Sequence, residues 1–230
     1  MPLRAIIFDI DGTLVDSNEA HVEAWHTAFA SLGHDVSRDR IRDEIGKGGD
    51  KLVPSILGED ADERDGDALR DRQSEAYLAI AGRERIAPFP RAREIFDAVR
   101  ARGLRSALAT SSSKDHLEAL ERSSGLELHS LGDELVNADD IAETKPAPDL
   151  VEAALGKLGV APSGCAMVGD TPFDAEAARH AGVPCIGVTA GGNSAERLRA
   201  AGAFRVYRDI AEVEARLDEL IEALESGPAR

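Results

Sequence analysis

The 230-residue chain is short of several things, and each shortage narrows what it can be. It has two cysteines, in CAMVGD and VPCIGV. Both settings are apolar and strand-like, so they read as buried thiols, with no disulfide framework and no cysteine metal site. Positive charge is scarce: 27 Lys and Arg face 43 Asp and Glu, a formal net charge of −16, and only five of the 27 are lysines. Such a surface repels nucleic acid and anionic membrane, so neither is expected as a partner. No run approaches the roughly 20 apolar residues that a membrane span needs. The start MPLRAIIFDID meets acid too early for a secretory signal, and the expected location is cytoplasmic. Low-complexity sequence is confined to the polar tail SGPAR, and there is no internal repeat.

What is present is 43% hydrophobic residues, enough for one sizeable core and a smaller accessory unit. Short β-like runs fall at 4–9, 105–110, 134–137, 165–170 and 184–189, with FRVY at 204–207 as a candidate edge strand. From residue 84 onward they alternate with helical segments beginning near Arg91, Lys114, Pro148, Pro172 and Ser194. A last amphipathic helix is expected from Asp209 to about Leu224, and Gly125, Gly159, Gly182 and Gly202 mark helix ends. This rhythm predicts an α/β fold with a parallel sheet. Residues 16 to about 86 break it with helical stretches alone, which predicts a helical insertion whose exit, IAPFPRA, holds two prolines.

The stretch DIDGTLVDS follows directly on the apolar run AIIF, so Asp9 and Asp11 stand one residue apart at the end of a strand. Neighbouring carboxylates repel unless a cation or a shared proton lies between them. In an open parallel sheet, ligands bind outside the carboxyl ends of the strands. The loops at Asp9–Ser17, Thr110–Ser113, Lys145 and Gly169–Asp174 are therefore expected to meet on one edge. Carboxylates, a hydroxyl and an ammonium gathered there suit Mg²⁺-assisted phosphoryl transfer.

The strings DIDGTLVDS, ATSSS, KPAPD and GDTPFD, in that order, resemble the four motifs of the haloacid dehalogenase-like superfamily. The resemblance implies a Rossmann-like, doubly wound core formed by residues 1–15 and 87–230, with a helical cap at 16–86. It implies a phosphatase that binds Mg²⁺ and acts on a small-molecule phosphate ester, similar to phosphoglycolate phosphatases, as a monomer or homodimer. Asp9 is then the nucleophile that becomes an aspartyl-phosphate, and Asp11 the general acid and base. Asp9, the backbone carbonyl of Asp11 and Asp170 form the metal shell, supported by Asp174. Thr110 and Lys145 hold phosphate oxygens, with backbone N–H groups of Asp11, Gly12 and Ser111 assisting. Asp9 held ionised against the metal, with Asp11 turned away, would separate their pKa values.

Each of these positions has a plainer structural role available. Thr171 to Asp174 make a good helix start, and Ser111 to Ser113 are ordinary caps for the helix after Lys114. Trp25 shares a helix stripe with Phe29 and Leu32, as a core residue does. In the insertion, GKGGDK (46–51) offers Lys47 and Lys51 to a substrate, and His21 lies one turn from the hinge. Sugar-phosphate mutases of the superfamily carry a similar histidine and basic cap loop, so a β-phosphoglucomutase-like activity is the alternative. Against it, Gly169 stands where those mutases have an acidic residue. A non-catalytic phosphate-binding regulator on the same fold has no need of both Asp9 and Asp11.

Overall fold

The computed structural model describes residues 2–226. The tail SGPAR lies outside them apart from Ser226, the last residue described. In chain order the elements are β1 (Ala5–Phe8), α1 (Asn18–Ser31), α2 (Arg38–Arg42), α3 (Gly49–Leu57), α4 (Glu59–Ala81), α5 (Glu94–Ala101), β2 (Arg105–Ala109), α6 (Lys114–Ser124), α7 (Leu128–Leu131), β3 (Glu134–Val136), α8 (Asp149–Leu158), β4 (Cys165–Gly169), α9 (Pro172–His180), β5 (Cys185–Val188), α10 (Ala195–Ala200), β6 (Arg205–Tyr207), α11 (Ile210–Ala215) and α12 (Leu217–Ser226).

The six strands form one sheet in the order β3-β2-β1-β4-β5-β6, all pairs parallel. Because side chains alternate along a strand, β1 sends Ile6 and Phe8 to one face and Ala5 and Ile7 to the other. The first face packs on α5, α6, α11 and α12 through residues such as Phe96, Leu117, Val213 and Leu220. The second packs on α8 and α9 through Leu150, Val151, Ala154 and Ala178. Burial on both faces explains why these strands read as continuous apolar runs. The expected α/β, doubly wound core is therefore what the chain builds. Cys165 and Cys185 are buried free thiols within it, and burial pushes Cys165 up to about 12.

The chain leaves β1 for β2 and β3 on one side of the sheet, then crosses to β4 and continues outward on the other. The point of reversal lies between β1 and β4, where a crevice opens at the strands' carboxyl ends. Between β1 and α5 run α1 to α4, helices only, around a separate apolar cluster of Trp25, Phe29, Ile41, Leu52 and Leu69. Their entry and exit are tied together: Asp16 N–H donates to Ala87 O and Phe89 N–H to Leu14 O, beside a Val15–Pro88 bridge.

Two helix boundaries differ from expectation. The helix expected near Arg91 starts at Glu94, because Arg91 has φ 70° and a residue in the left-handed region cannot open an α-helix. The last helix is broken at Arg216 (φ −114°, ψ 20°), whose N–H is shared among the carbonyls of Glu212, Val213 and Glu214. No glycine or proline marks that break, which brings Leu217 and Leu220 into the same buried cluster as Ile210 and Val213.

Candidate active site

Asp9 follows β1 and Asp170 follows β4, so the reversal of strand order sets their carboxylates side by side. Asp174, in the first turn of α9, joins them: oxygens of Asp9, Asp170 and Asp174 all lie within 4.8 Å of one another, and all three residues are buried. Lys145, with only 2% of its side chain exposed, reaches in from the loop before α8. Its Nζ donates to Asp9 Oδ1 at 2.5 Å and to Asp174 Oδ1 at 2.8 Å. Thr13 Oγ1 lies 3.2 Å from both Asp9 Oδ2 and Asp170 Oδ1. Asn18 Nδ2 donates to Asp170 Oδ2 at 3.0 Å and to the Gly191 carbonyl at 2.9 Å.

Three carboxylates against one ammonium leave two negative charges uncompensated when all are ionised. Burial, reinforced by Asp174, Asp170 and Asp11 and only partly offset by Lys145, holds Asp9 well above the usual carboxylate range. Burial and Asp174 push Asp170 up to about 7. The Asn18 Oδ1 atom is buried with no hydrogen-bond partner. Hard oxygen donors, a deficit of two positive charges and an unsatisfied acceptor fit a divalent, Mg²⁺-like cation.

Asp11 faces away from this cluster. Its Oδ1 accepts from Ser17 Oγ (2.6 Å) and contacts His21 Nε2 (3.1 Å), while its Oδ2 accepts from Thr110 Oγ1 and Ser112 Oγ, both at 3.0 Å. Burial acts to raise its pKa, but His21 and the hydroxyl donors outweigh it and hold the carboxyl below the ordinary range. The separation expected from sequence belongs to the metal-bound site; for the protein alone Asp9 is high and Asp11 low. The reason is that the carboxylates crowd around Asp9 while the donors gather around Asp11.

Other expected contacts are also redistributed. Gly12 N–H, expected to face phosphate, donates to Val15 O at 2.8 Å and closes the turn instead. The residue is glycine for a different reason: its φ is +77°, and a Cβ there would meet Asn18 Nδ2 and Asp170 Oδ2 at 2.3 Å. The amides of Asp11 and Ser111 donate to no other group among the described residues. Ser111 Oγ makes a long contact, 3.4 Å, to Gly46 O. Thr110, expected at phosphate, spends its hydroxyl on Asp11.

The glycine-rich loop approaches the core and not open space. A Cβ on Gly46 would meet Thr171 and one on Gly48 would meet Thr144, whose Oγ1 accepts from Gly48 N–H at 3.0 Å. Lys47 is held by Glu44 and Ser55 and lies over the Phe173 ring, while Lys51 pairs with Glu143 on the outside. Asp174 performs both roles open to it, since Thr171 and Asp174 also form the capping box of α9.

A cavity of about 260 Å³ stands over Asp9 and Asp11, roofed by α1, the 46–49 loop and α4. His21 stacks on Tyr77 with ring centroids 4.2 Å apart; Tyr77 in turn lies 4.5 Å from His116, whose Nε2 is 2.9 Å from Ser74 Oγ. Burial pushes His116 down to about 4. Thr13, Ser17, Asn18, Ser112, Gln73, Tyr77 and His116 were not singled out from sequence as site residues. One local signal exists for Ser17: it occupies the helix N-cap of α1 yet makes no cap hydrogen bond, because Asp11 takes its hydroxyl.

A family model described as a haloacid dehalogenase-like hydrolase matches residues 3–182. The chain is 36% identical over 204 residues to a protein of Dickeya dadantii named probable phosphatase IndB, covering 85% of each. It is 32% identical over 217 residues to a phosphoglycolate phosphatase of Rhodospirillum rubrum, covering 90% of this chain and 88% of the other. The solved structure of a hydrolase from Pseudomonas syringae superposes with a TM-score of 0.87 at 30% identity, covering 94% of this chain and 99% of that one.

Proposed function

The chain belongs to the haloacid dehalogenase-like hydrolases, and on that premise we propose that it is a Mg²⁺-dependent phosphohydrolase of small organic phosphomonoesters working through phospho-Asp9. The observation that carries this reading is the opposed orientation of the two aspartates. Asp9 lies in the buried cluster with Lys145, Asp170 and Asp174, and Asp11 is turned to a histidine and three hydroxyls.

Asp9, Asp170 and the backbone carbonyl of Asp11 would hold the cation, with Asp174 and Asn18 Oδ1 at hand. When bound, Mg²⁺ offsets the charge of the buried carboxylates and polarises a phosphoryl oxygen. The Asp9 carboxylate attacks phosphorus, and the bond from phosphorus to the leaving oxygen breaks. The proton shared by the Asp11–His21 pair, whose atoms lie 3.1 Å apart, passes to that oxygen through Asp11. Ser17, Thr110 and Ser112 keep the Asp11 carboxylate aimed. In the second half, Asp11 takes a proton from water, which displaces Asp9 from phosphorus and frees phosphate. Lys145 and the N–H groups of Asp11 and Ser111 stabilise charge on the phosphoryl oxygens. Residues 16–86 act as the lid that keeps bulk water from the site.

The mutase alternative draws on the His21–Asp11 contact. It is disfavoured by space as well as sequence: a Cβ on Gly169 would lie 2.4 Å from Asp174 Cγ, so an acidic side chain has no room there.

Purified protein is expected to release phosphate from p-nitrophenyl phosphate with Mg²⁺, to stop when the metal is chelated, and to lose about 10³-fold or more of its rate in Asp9→Asn. Retention of most of the rate in that variant would remove Asp9 as nucleophile.

A further inference from the structure

We infer that the leaving group of the substrate is uncharged and rich in hydroxyls, a phosphorylated polyol or sugar, and that the side-chain amide of Gln73 anchors it. The inference rests on the phosphohydrolase reading and narrows it to a substrate class.

The first observation is the state of the cations around the cavity. Lys47, Arg70 and Lys145 line it, and each is already matched by carboxylates: Lys47 by Glu44, Arg70 by Asp62 at 2.7 Å with Asp67 beyond, and Lys145 by Asp9 and Asp174. His21 is engaged by Asp11. Among the described residues, no lysine or arginine of the lining is left over for a second anionic group, and Asp71 adds negative charge to the wall. A substrate bearing a carboxylate or second phosphate has to displace one of these partners. A substrate whose leaving group is neutral does not.

The second observation is Gln73. It is 6% exposed and lines the cavity from α4, but its amide makes no hydrogen bond to another described residue. Arg70, Gln73, Ser74 and Tyr77 share one face of α4, since residues three and four apart are helix neighbours. Of these, Arg70 donates to Asp62, and Ser74 is bonded to His116. Gln73 therefore presents an unpaired donor and an unpaired acceptor from one group, which is what a hydroxyl can satisfy in both directions and a carboxylate cannot. The Gln73 amide is open to the cavity, and a ligand that covers it without pairing it forfeits its hydrogen bonds to water.

The third observation is size. The cavity, about 260 Å³, is of a size that a compact polyol or sugar phosphate fills.

The test is a comparison of kcat/KM with Mg²⁺ for sorbitol 6-phosphate and glycerol phosphate, for 2-phosphoglycolate and fructose 1,6-bisphosphate, and for p-nitrophenyl phosphate. The polyol esters, whose leaving groups are neutral, are expected to exceed those with a second anionic group about tenfold or more. In Gln73→Leu, efficiency on the preferred polyol ester should fall about tenfold further than on p-nitrophenyl phosphate, which has no hydroxyl to lose. Asp62→Asn, which releases Arg70, should raise the 2-phosphoglycolate to polyol ratio about threefold or more. That variant keeps the test open if Gln73→Leu does not fold. Preference for an ester with a second anionic group, an equal fall on both esters in Gln73→Leu, or no change of ratio in Asp62→Asn overturns the inference while leaving the phosphohydrolase standing. Failure of the wild-type protein to turn over any ester, p-nitrophenyl phosphate included, removes both.

Discussion

Gly12 shows how closely single residues are constrained around the two aspartates. Its backbone lies in the left-handed region and in contact with Asp170 and Asn18, so a side chain there is strained and also displaces the carboxylate that would hold the cation. Gly12→Ala is expected to destabilise the protein by about 1–3 kcal/mol and to weaken Mg²⁺ binding together with activity. Thermal unfolding and metal titration check this, and a variant with unchanged Mg²⁺ affinity would contradict the contact. The acids Asp9, Asp11, Asp170 and Asp174 were legible as single letters because each lies just past a strand or in the first turn of a helix, within three residues of a glycine or threonine. Ser17, Asn18 and Ser112 were not, because a serine or asparagine at a helix start is an ordinary cap until the structure shows where its side chain goes.

At the scale of elements, α9 joins stability to the site. Thr171 caps the helix and also donates to Asp174 Oδ2 at 2.7 Å, orienting the carboxylate whose other oxygen takes Lys145. Thr171→Ala is expected to cost about 1 kcal/mol as a lost N-cap. It should also lower kcat by more than the small loss of folded protein explains, since Asp174 loses one of the donors that aim its carboxylate. Denaturant unfolding with parallel kinetics separates the two effects, and an unchanged kcat would assign Thr171 to the cap alone. All six strands were readable to within a residue: the central ones because burial leaves apolar runs, and the partly exposed edge strands β3 and β6 from their place in the strand-and-helix rhythm. The late start of α5 and the break between α11 and α12 were not, because each follows from a backbone turn that the apolar pattern does not encode.

For the whole molecule, the buried carboxylates predict how stability changes with pH. With the metal chelated, Asp170, pushed up to about 7, and Asp9, also raised, hold protons that the unfolded chain releases near 3.8. The native state then binds more protons than the unfolded one, so this contribution to stability is complete below about 3.8 and is lost as pH rises through 7. His116, pushed down to about 4 from 6.5, works in the other direction, but only up to about pH 6.5. The clean window is therefore pH 6.5 to 8, where the chelated protein should lose stability. Mg²⁺ binds the deprotonated carboxylates, so its stabilisation should grow over the same window. At a hundredfold excess over Kd it is expected to raise the midpoint by about 5–10 °C at pH 8, and by less at pH 6. Thermal scans at both pH values, with chelator and with Mg²⁺, test this; an equal Mg²⁺ effect at both would show that the cluster is not the binding site.

What the amino-acid sequence determined alone was the strand-and-helix rhythm, the helical insertion and the acids that end the strands, since periodicity, glycines and apolar runs are local properties. Only the tertiary structure decided which groups partner which. Asp9 and Asp170 meet because the strand order reverses between β1 and β4. Lys145 bridges residues 136 and 29 positions away. The lysines of the glycine-rich loop, which look available in sequence, are bound to Glu44 and Glu143. Charge compensation in a folded chain depends on distances through space, and those are set by packing between segments remote in sequence.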